Sequence, residues 1–89
     1  MKIKKNRLNL NQEGHLSDLR AGETCVVLAL HNHVPSIKRH LLDMGITKGV
    51  EIKIEGFAPL GDPARILLRG YSLAIRLSDM SEIDVRRIS

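Results

Sequence analysis

One stretch, Ser36 to Gly49 with the sequence SIKRHLLDMGITKG, limits the folds open to this chain more than any other. Pro35 keeps the chain before it extended, and Ser36 is the expected N-cap, its hydroxyl accepting a hydrogen bond from a first-turn amide. Ile37, Leu41 and Met44 fall at i, i+4 and i+7, so they share one face while Lys38, Arg39 and Asp43 point elsewhere. Gly45 suits the left-handed residue just past a helix end, and Ile46 after it is placed to fold back on Leu41. The resulting helix has about two turns, too few to persist alone in water. It must dock on something apolar, and the segments on either side read as strands.

After Gly49, Val50, Ile52 and Ile54 alternate with Glu51, Lys53 and Glu55, the period-2 pattern of a half-buried strand. Before the helix, Thr24 to Leu30 is β-branched and apolar on both faces, which predicts the most buried strand of the molecule. Leu16-Ser17-Asp18-Leu19 and Arg20-Ala21-Gly22-Glu23 form an opening turn that tucks two leucines inward. Beyond the half-buried strand, Phe57-Ala58-Pro59-Leu60-Gly61-Asp62-Pro63 breaks regular structure, because prolines do not sit in a central ladder. Arg65 to Arg69 and Tyr71 to Leu77 are two further strands reversed at Gly70, with Tyr71, Leu73, Ile75 and Leu77 on one face. Ser78 to Glu82 reads as a helical turn and Ile83 to Val85 as a short closing strand. The sum is mainly β: a small, partly open barrel of about five strands with a short helical insertion.

The chain has 89 residues, room for one domain and one core. Hydrophobic residues make up 43% and aromatics only 2%, so Leu, Ile and Val must fill the interior. A single cysteine, Cys25, excludes an intrachain disulfide and fits a reducing compartment. No run approaches the ~18 apolar residues of a membrane span. The basic N-terminus lacks the apolar region of a signal peptide, which suggests a cytosolic, soluble protein. Residues 1–15 differ in composition, with Lys2, Lys4, Lys5 and Arg7 among polar residues, and read as a flexible basic arm or an extended segment pairing with a sheet edge. That places the domain at 16–89. The net charge of +4 leans on the arm, so the remainder is only mildly basic.

The blocks LSDL then G, LLDMGITKG, FAPLGDP and RGYSLAIRLSDMSEIDV, in this order from Leu16 to Val85, resemble the FeoA family of small cytoplasmic proteins of bacterial ferrous iron uptake. The longer basic arm and Met80, where a small residue is common, depart from the family pattern outside its densest blocks, Leu41 to Gly49 and Ala58 to Tyr71. The resemblance implies an SH3-like barrel. It also implies binding and modulation of FeoB, a membrane transporter with a cytoplasmic G-domain, which would make the chain peripheral to the inner membrane through its partner. The same fold occurs as the C-terminal domain of DtxR-type iron regulators, so a metal-responsive regulatory module is the alternative, although no helix-turn-helix region is present here.

Catalysis is not expected. Cys25 lies in an apolar strand with no neighbouring His, Asp18 and Asp62 sit in turns where a carboxylate caps amides, and no GxxxxGK[ST] phosphate cradle is present. No cofactor is expected. His31 and His33 form an H-x-H pair and His40 follows in the helix, which makes these three the candidate metal ligands. With no CxxC and no carboxylate beside them in sequence, a bound divalent ion is expected to be weak or adventitious. Only Phe57 and Tyr71 could stack bases, and Arg65, Arg69 and Arg76 form no stripe, so nucleic acid is not an expected partner; a weak nucleic-acid binder is the further alternative.

A protein-interaction surface remains. Leu42 lies about 100° from the buried stripe of the helix, and with Lys38 and Arg39 it forms the outward side. Phe57, Leu60 and Tyr71 complete the candidate partner-binding set, with the Phe57 to Leu60 loop expected beside the helix and covering Leu42. An exposed sheet edge leaves room for a homo-oligomer. Leu41, Met44, Gly45, Gly49, Gly61, Pro63 and Gly70 are assigned to structure.

Overall fold

The computed structural model of the chain describes residues 7–89, so the basic cluster at 1–6 lies outside the described residues. Six antiparallel strands form one sheet in the order β1-β6-β2-β3-β4-β5: β1 (Glu13–His15), β2 (Thr24–Leu30), β3 (Glu51–Phe57), β4 (Ala64–Leu68), β5 (Tyr71–Ile75) and β6 (Ile83–Arg87). Register shifts between Val27 and Ala29 and between Ile54 and Gly56 bend β2 and β3, as bulges do, and help the sheet curl around one core. The edges β1 and β5 do not pair with each other, so the barrel stays open as expected.

The strand count exceeds the expected five by β1. Residues 7–15, assigned to the arm from composition, are packed: Leu8 is buried, Glu13–His15 pairs with Asp84–Arg86, and the Asn11 amide donates to the Arg87 carbonyl at 2.7 Å. Of the two readings of this segment, the extended piece pairing with a sheet edge is the one found for the described residues; a three-residue edge strand needs little apolar content of its own once the neighbouring strand supplies the ladder.

Alternation in β3 is as read, with Ile52 and Ile54 fully buried between exposed Glu51, Lys53 and Glu55. In β2, by contrast, only Cys25 and Val27 are fully buried; Val26 and Leu28 are partly exposed and Ala29 is exposed. An open sheet of one layer covers one face of its central strands, so two apolar faces did not mean two buried ones.

Leu16 and Leu19 are both buried around a 3₁₀ turn at Leu16–Asp18, where Asp18 Oδ2 accepts the His15 amide at 2.9 Å. The helix α1 spans Pro35–Asp43 with Val34 as its N-cap, not Ser36. Proline lacks the amide proton that the first turn leaves unpaired, and its fixed φ suits the first helical position, so the helix starts two residues earlier than a Ser36 cap would give. At the other end Gly45 takes φ +90°, the Ile46 amide donates to the Leu41 carbonyl at 3.1 Å and the Gly45 amide to the Leu42 carbonyl at 2.9 Å. These two bonds are a Schellman stop, and Leu41 and Ile46 beneath it are both fully buried.

Gly49 and Gly61 also hold positive φ; the Gly49 amide donates to Val27, while Gly61 and Pro63 both bond to Ala58 within the β3–β4 loop. The second helix, α2 (Leu77–Met80), begins where Asp62 Oδ1 accepts the Leu77 amide at 3.0 Å, and its Met80 is fully buried. No helix among the described residues is long and apolar enough to cross a membrane.

Candidate functional site

The C-terminal end of α1 is held by the tip of the β4–β5 hairpin. Arg69 and Gly70 both adopt positive φ, +50° and +83°, the backbone a two-residue type I′ connection demands. That tight reversal aims Arg69 and Tyr71 at the helix end. The Tyr71 hydroxyl donates to the Met44 carbonyl, Arg69 Nε to the Gly45 carbonyl at 3.2 Å, and Arg69 Nη2 to Thr47 Oγ1 at 2.9 Å. Carbonyls that the helix cannot pair internally are thereby satisfied, and a cation faces the negative end of the helix dipole. A Cβ at Gly45 would stand 3.0 Å from the Tyr71 hydroxyl, so this glycine is required by space as well as by φ.

Tyr71 thus has a structural hydrogen bond, with its ring still partly exposed. On α1, Leu41 faces the core, Ile37 and Met44 pack at its margin, and Leu42 is 42% exposed beside exposed Arg39 and half-buried Lys38. The expected neighbour is elsewhere. Phe57 pairs with Ala64 and Ala64 with Ile75, whereas Leu68 pairs with Tyr71, so the Phe57–Leu60 loop and the helix end are served by opposite ends of β4. Leu42 is therefore not covered by that loop. Phe57 instead borders a cleft of about 380 Å³ with Leu19, Arg20, Gly61 and Leu77, and Leu60 is 97% exposed.

Histidines gather at the other side of the sheet. His15 and Asp84 are register partners across β1 and β6, and His31 directly follows β2, the strand on β6's other flank. His31 Nε2 lies 2.8 Å from Asp84 Oδ1, and His15 Nε2 lies 3.6 Å from the same oxygen. His33 Nδ1 is 3.2 Å from Glu82 Oε1, and the His31 ring stands edge-on to both His15 and His33. His40, on the exposed side of α1, joins neither group. The H-x-H pair thus has carboxylates beside it after all, Asp84 from β6 and Glu82 from the turn just before it, some fifty residues away. The Glu82-Ile83-Asp84-Val85 alternation, with Ile83 and Val85 inward, was the available signal for Glu82 and Asp84 facing out. His15 carried no such signal, because the edge-pairing reading of its segment fixed no register.

Cys25 is fully buried; burial pushes its thiol up to about 12, against a weaker opposing backbone hydrogen bond at Ile52. A thiol so protonated is a poor nucleophile.

The FeoA domain model matches residues 14–87. The chain belongs to the FeoA family. An NMR structure of an FeoA-like protein from Clostridium acetobutylicum superposes with a TM-score of 0.81 at 36% identity, covering 86% of this FeoA chain and 88% of that one. The FeoA of Stenotrophomonas maltophilia, described as a prokaryotic SH3 domain protein and solved with zinc, gives 0.70 at 26% identity over 80% and 87% of the two chains. A fusion of Fe(2+) transport protein A with the Fe(2+) transporter FeoB from Porphyromonas gingivalis is 32% identical over 74 residues, 83% of this chain and 9% of the fusion. A manganese-dependent transcriptional repressor shares the fold alone, at 14% identity and a TM-score of 0.79 over 85% of this chain and 41% of the repressor. The SH3-like reading holds, and the blocks that carry the resemblance turn out to be the Schellman stop, the β3–β4 loop and the β4–β5 staple.

Proposed function

We propose that this FeoA domain is a non-catalytic cytoplasmic accessory protein of ferrous iron uptake that binds a FeoB-type membrane transporter and modulates it, standing at the inner membrane only through that partner. The observation that carries the reading is the fusion relative, in which an FeoA segment and FeoB occupy one polypeptide. Fusion removes the entropy of bringing two partners together and is most useful when they act in contact. Binding that favours one conformation of the transporter would shift its population, which is all that a partner without chemistry of its own needs to do.

The outward side of α1, Lys38, Arg39 and Leu42, is the surface assigned to this contact: a partly exposed leucine flanked by cations, on a helix pinned at its end. Pull-down with the transporter's cytoplasmic region tests it. Wild type should be captured, and Leu42→Asp should remain folded by circular dichroism while losing about tenfold in affinity, roughly 1.4 kcal/mol. Leu41→Asp, which places a charge in the core, should unfold the domain outright. Capture of Leu42→Asp equal to wild type would remove the helix face, and failure to capture folded wild type would remove the association.

A further inference from the structure

We propose that His15, His31 and Asp84, whose ligand atoms all lie within 4.8 Å of one another, form a binding site for one divalent first-row transition ion.

 The ligand set is His15 Nε2, His31 Nε2 and one Asp84 oxygen, and it rests on no part of the transporter reading.

Three adjacent strands deliver these groups to one face. Val85 and Ile83 point into the core, so Asp84 between them points out, and its register partners are His15 on β1 and Ala29 on β2. His31 stands two residues beyond Ala29 and therefore on the same side, its amide anchored on the Glu82 carbonyl at 2.7 Å. Ligand atoms around a tetrahedral ion sit roughly 3.4 Å apart, given metal–nitrogen bonds of about 2.0–2.1 Å. The 2.8 Å and 3.6 Å separations from Asp84 Oδ1 to the two imidazoles bracket that value, and all three ligand atoms lie within 4.8 Å of one another, close to the spacing an ion requires.

His15 is also oriented from behind. Its Nδ1 lies 3.7 Å from Asp18 Oδ2, a carboxylate already fixed by the His15 amide, so Nε2 is the nitrogen turned toward Asp84. A carboxylate behind a ligating imidazole sets the ring's orientation and raises its basicity. Two imidazoles and one carboxylate with open positions suit Fe²⁺, Co²⁺ or Zn²⁺, whereas Mg²⁺ and Ca²⁺ require oxygen donors. His31, His33 and Glu82 form a neighbouring group that shares His31, but the His33 side chain is 72% exposed and lies in a loop, so it is the less preorganised of the two.

Cobalt titration of the full chain, read by visible absorption and by calorimetry, tests the site, with Zn²⁺ and anaerobic Fe²⁺ as competitors. One equivalent of Co²⁺ should bind, Zn²⁺ and Fe²⁺ should displace it, and excess Mg²⁺ should not. His15→Ala and Asp84→Asn should each lose binding, His33→Ala and His40→Ala should keep it, and Asp18→Asn should weaken it about tenfold with the thermal midpoint unchanged. Absence of binding to wild type, or binding that survives both His15→Ala and Asp84→Asn, would overturn the site. So would binding abolished by His33→Ala and retained in His15→Ala, which would put the ion on the Glu82 side. Because the two decisive variants lie on different strands, one that failed to fold would leave the other to decide.

Discussion

Gly45 shows how a single residue can be fixed by two independent constraints. Its φ of +90° strains any side chain, and a Cβ would also meet the Tyr71 hydroxyl at 3.0 Å; Gly22 has the same φ with nothing within 4 Å. Gly45→Ala should therefore destabilise by about 1–3 kcal/mol, and by more than Gly22→Ala, in urea unfolding. In a Tyr71→Phe background the difference between the two should shrink; an unchanged difference would mean that the hydroxyl contact contributes nothing. Cys25 offers a second test at this scale. The unfolded chain ionises its thiol above the ordinary 9.0, while the folded chain keeps it protonated to about 12. The unfolded state then binds fewer protons, so stability falls as pH rises through that interval. Relative to Cys25→Ala, wild type should lose about 1.4 kcal/mol between pH 8 and pH 10. Parallel pH profiles for the two proteins would contradict the burial argument.

Among the elements, α1 was the most legible in sequence, because its apolar spacing, glycine stop and following isoleucine all specify the same short helix. Its start was not, since Ser36 and Pro35 compete for the first positions and proline's missing amide decided the matter. Strands β3 to β6 were legible from alternation and turn residues, whereas β1 stood only as one of two readings of a polar segment, because its ladder partner lies some seventy residues away. The same non-locality concealed half of the histidine site: His31 and His33 stood out as a pair, but Asp84 and Glu82 reach them only once β6 lies beside β2. The small helix α2 depends on a remote cap. Asp62, in the β3–β4 loop, accepts the Leu77 amide, so Asp62→Ala should cost about 0.5–2 kcal/mol by thermal or urea melts. Asp62→Asn, which keeps an acceptor, should recover part of the loss; equal losses in both variants would show that the acceptor is not the reason.

At the scale of the whole molecule, the helix insertion carries the candidate partner face, while His15 and Asp84 stand on the paired strands β1 and β6 with His31 just beyond β2. The core is built from aliphatic side chains with no buried polar residue among the described ones. The segments at the two ends of the described chain are also bound to one another: Arg87 Nη1 donates to the Leu8 carbonyl at 2.9 Å, Asn11 and Gln12 exchange backbone bonds with Arg87, and Thr24 bonds to both Ile88 and Ser89. The segments at residues 8–12 and 87–89 therefore lie close enough to be joined by a short bridge. A circular permutant that links residue 89 to residue 7 through a short glycine-serine bridge and opens the backbone at Leu60 should refold to the same barrel, as judged by the amide spectrum of its core residues. The old ends would then form a closed seam, and new ends would emerge at the opposite tip of the β3–β4 hairpin, away from both α1 and the histidines.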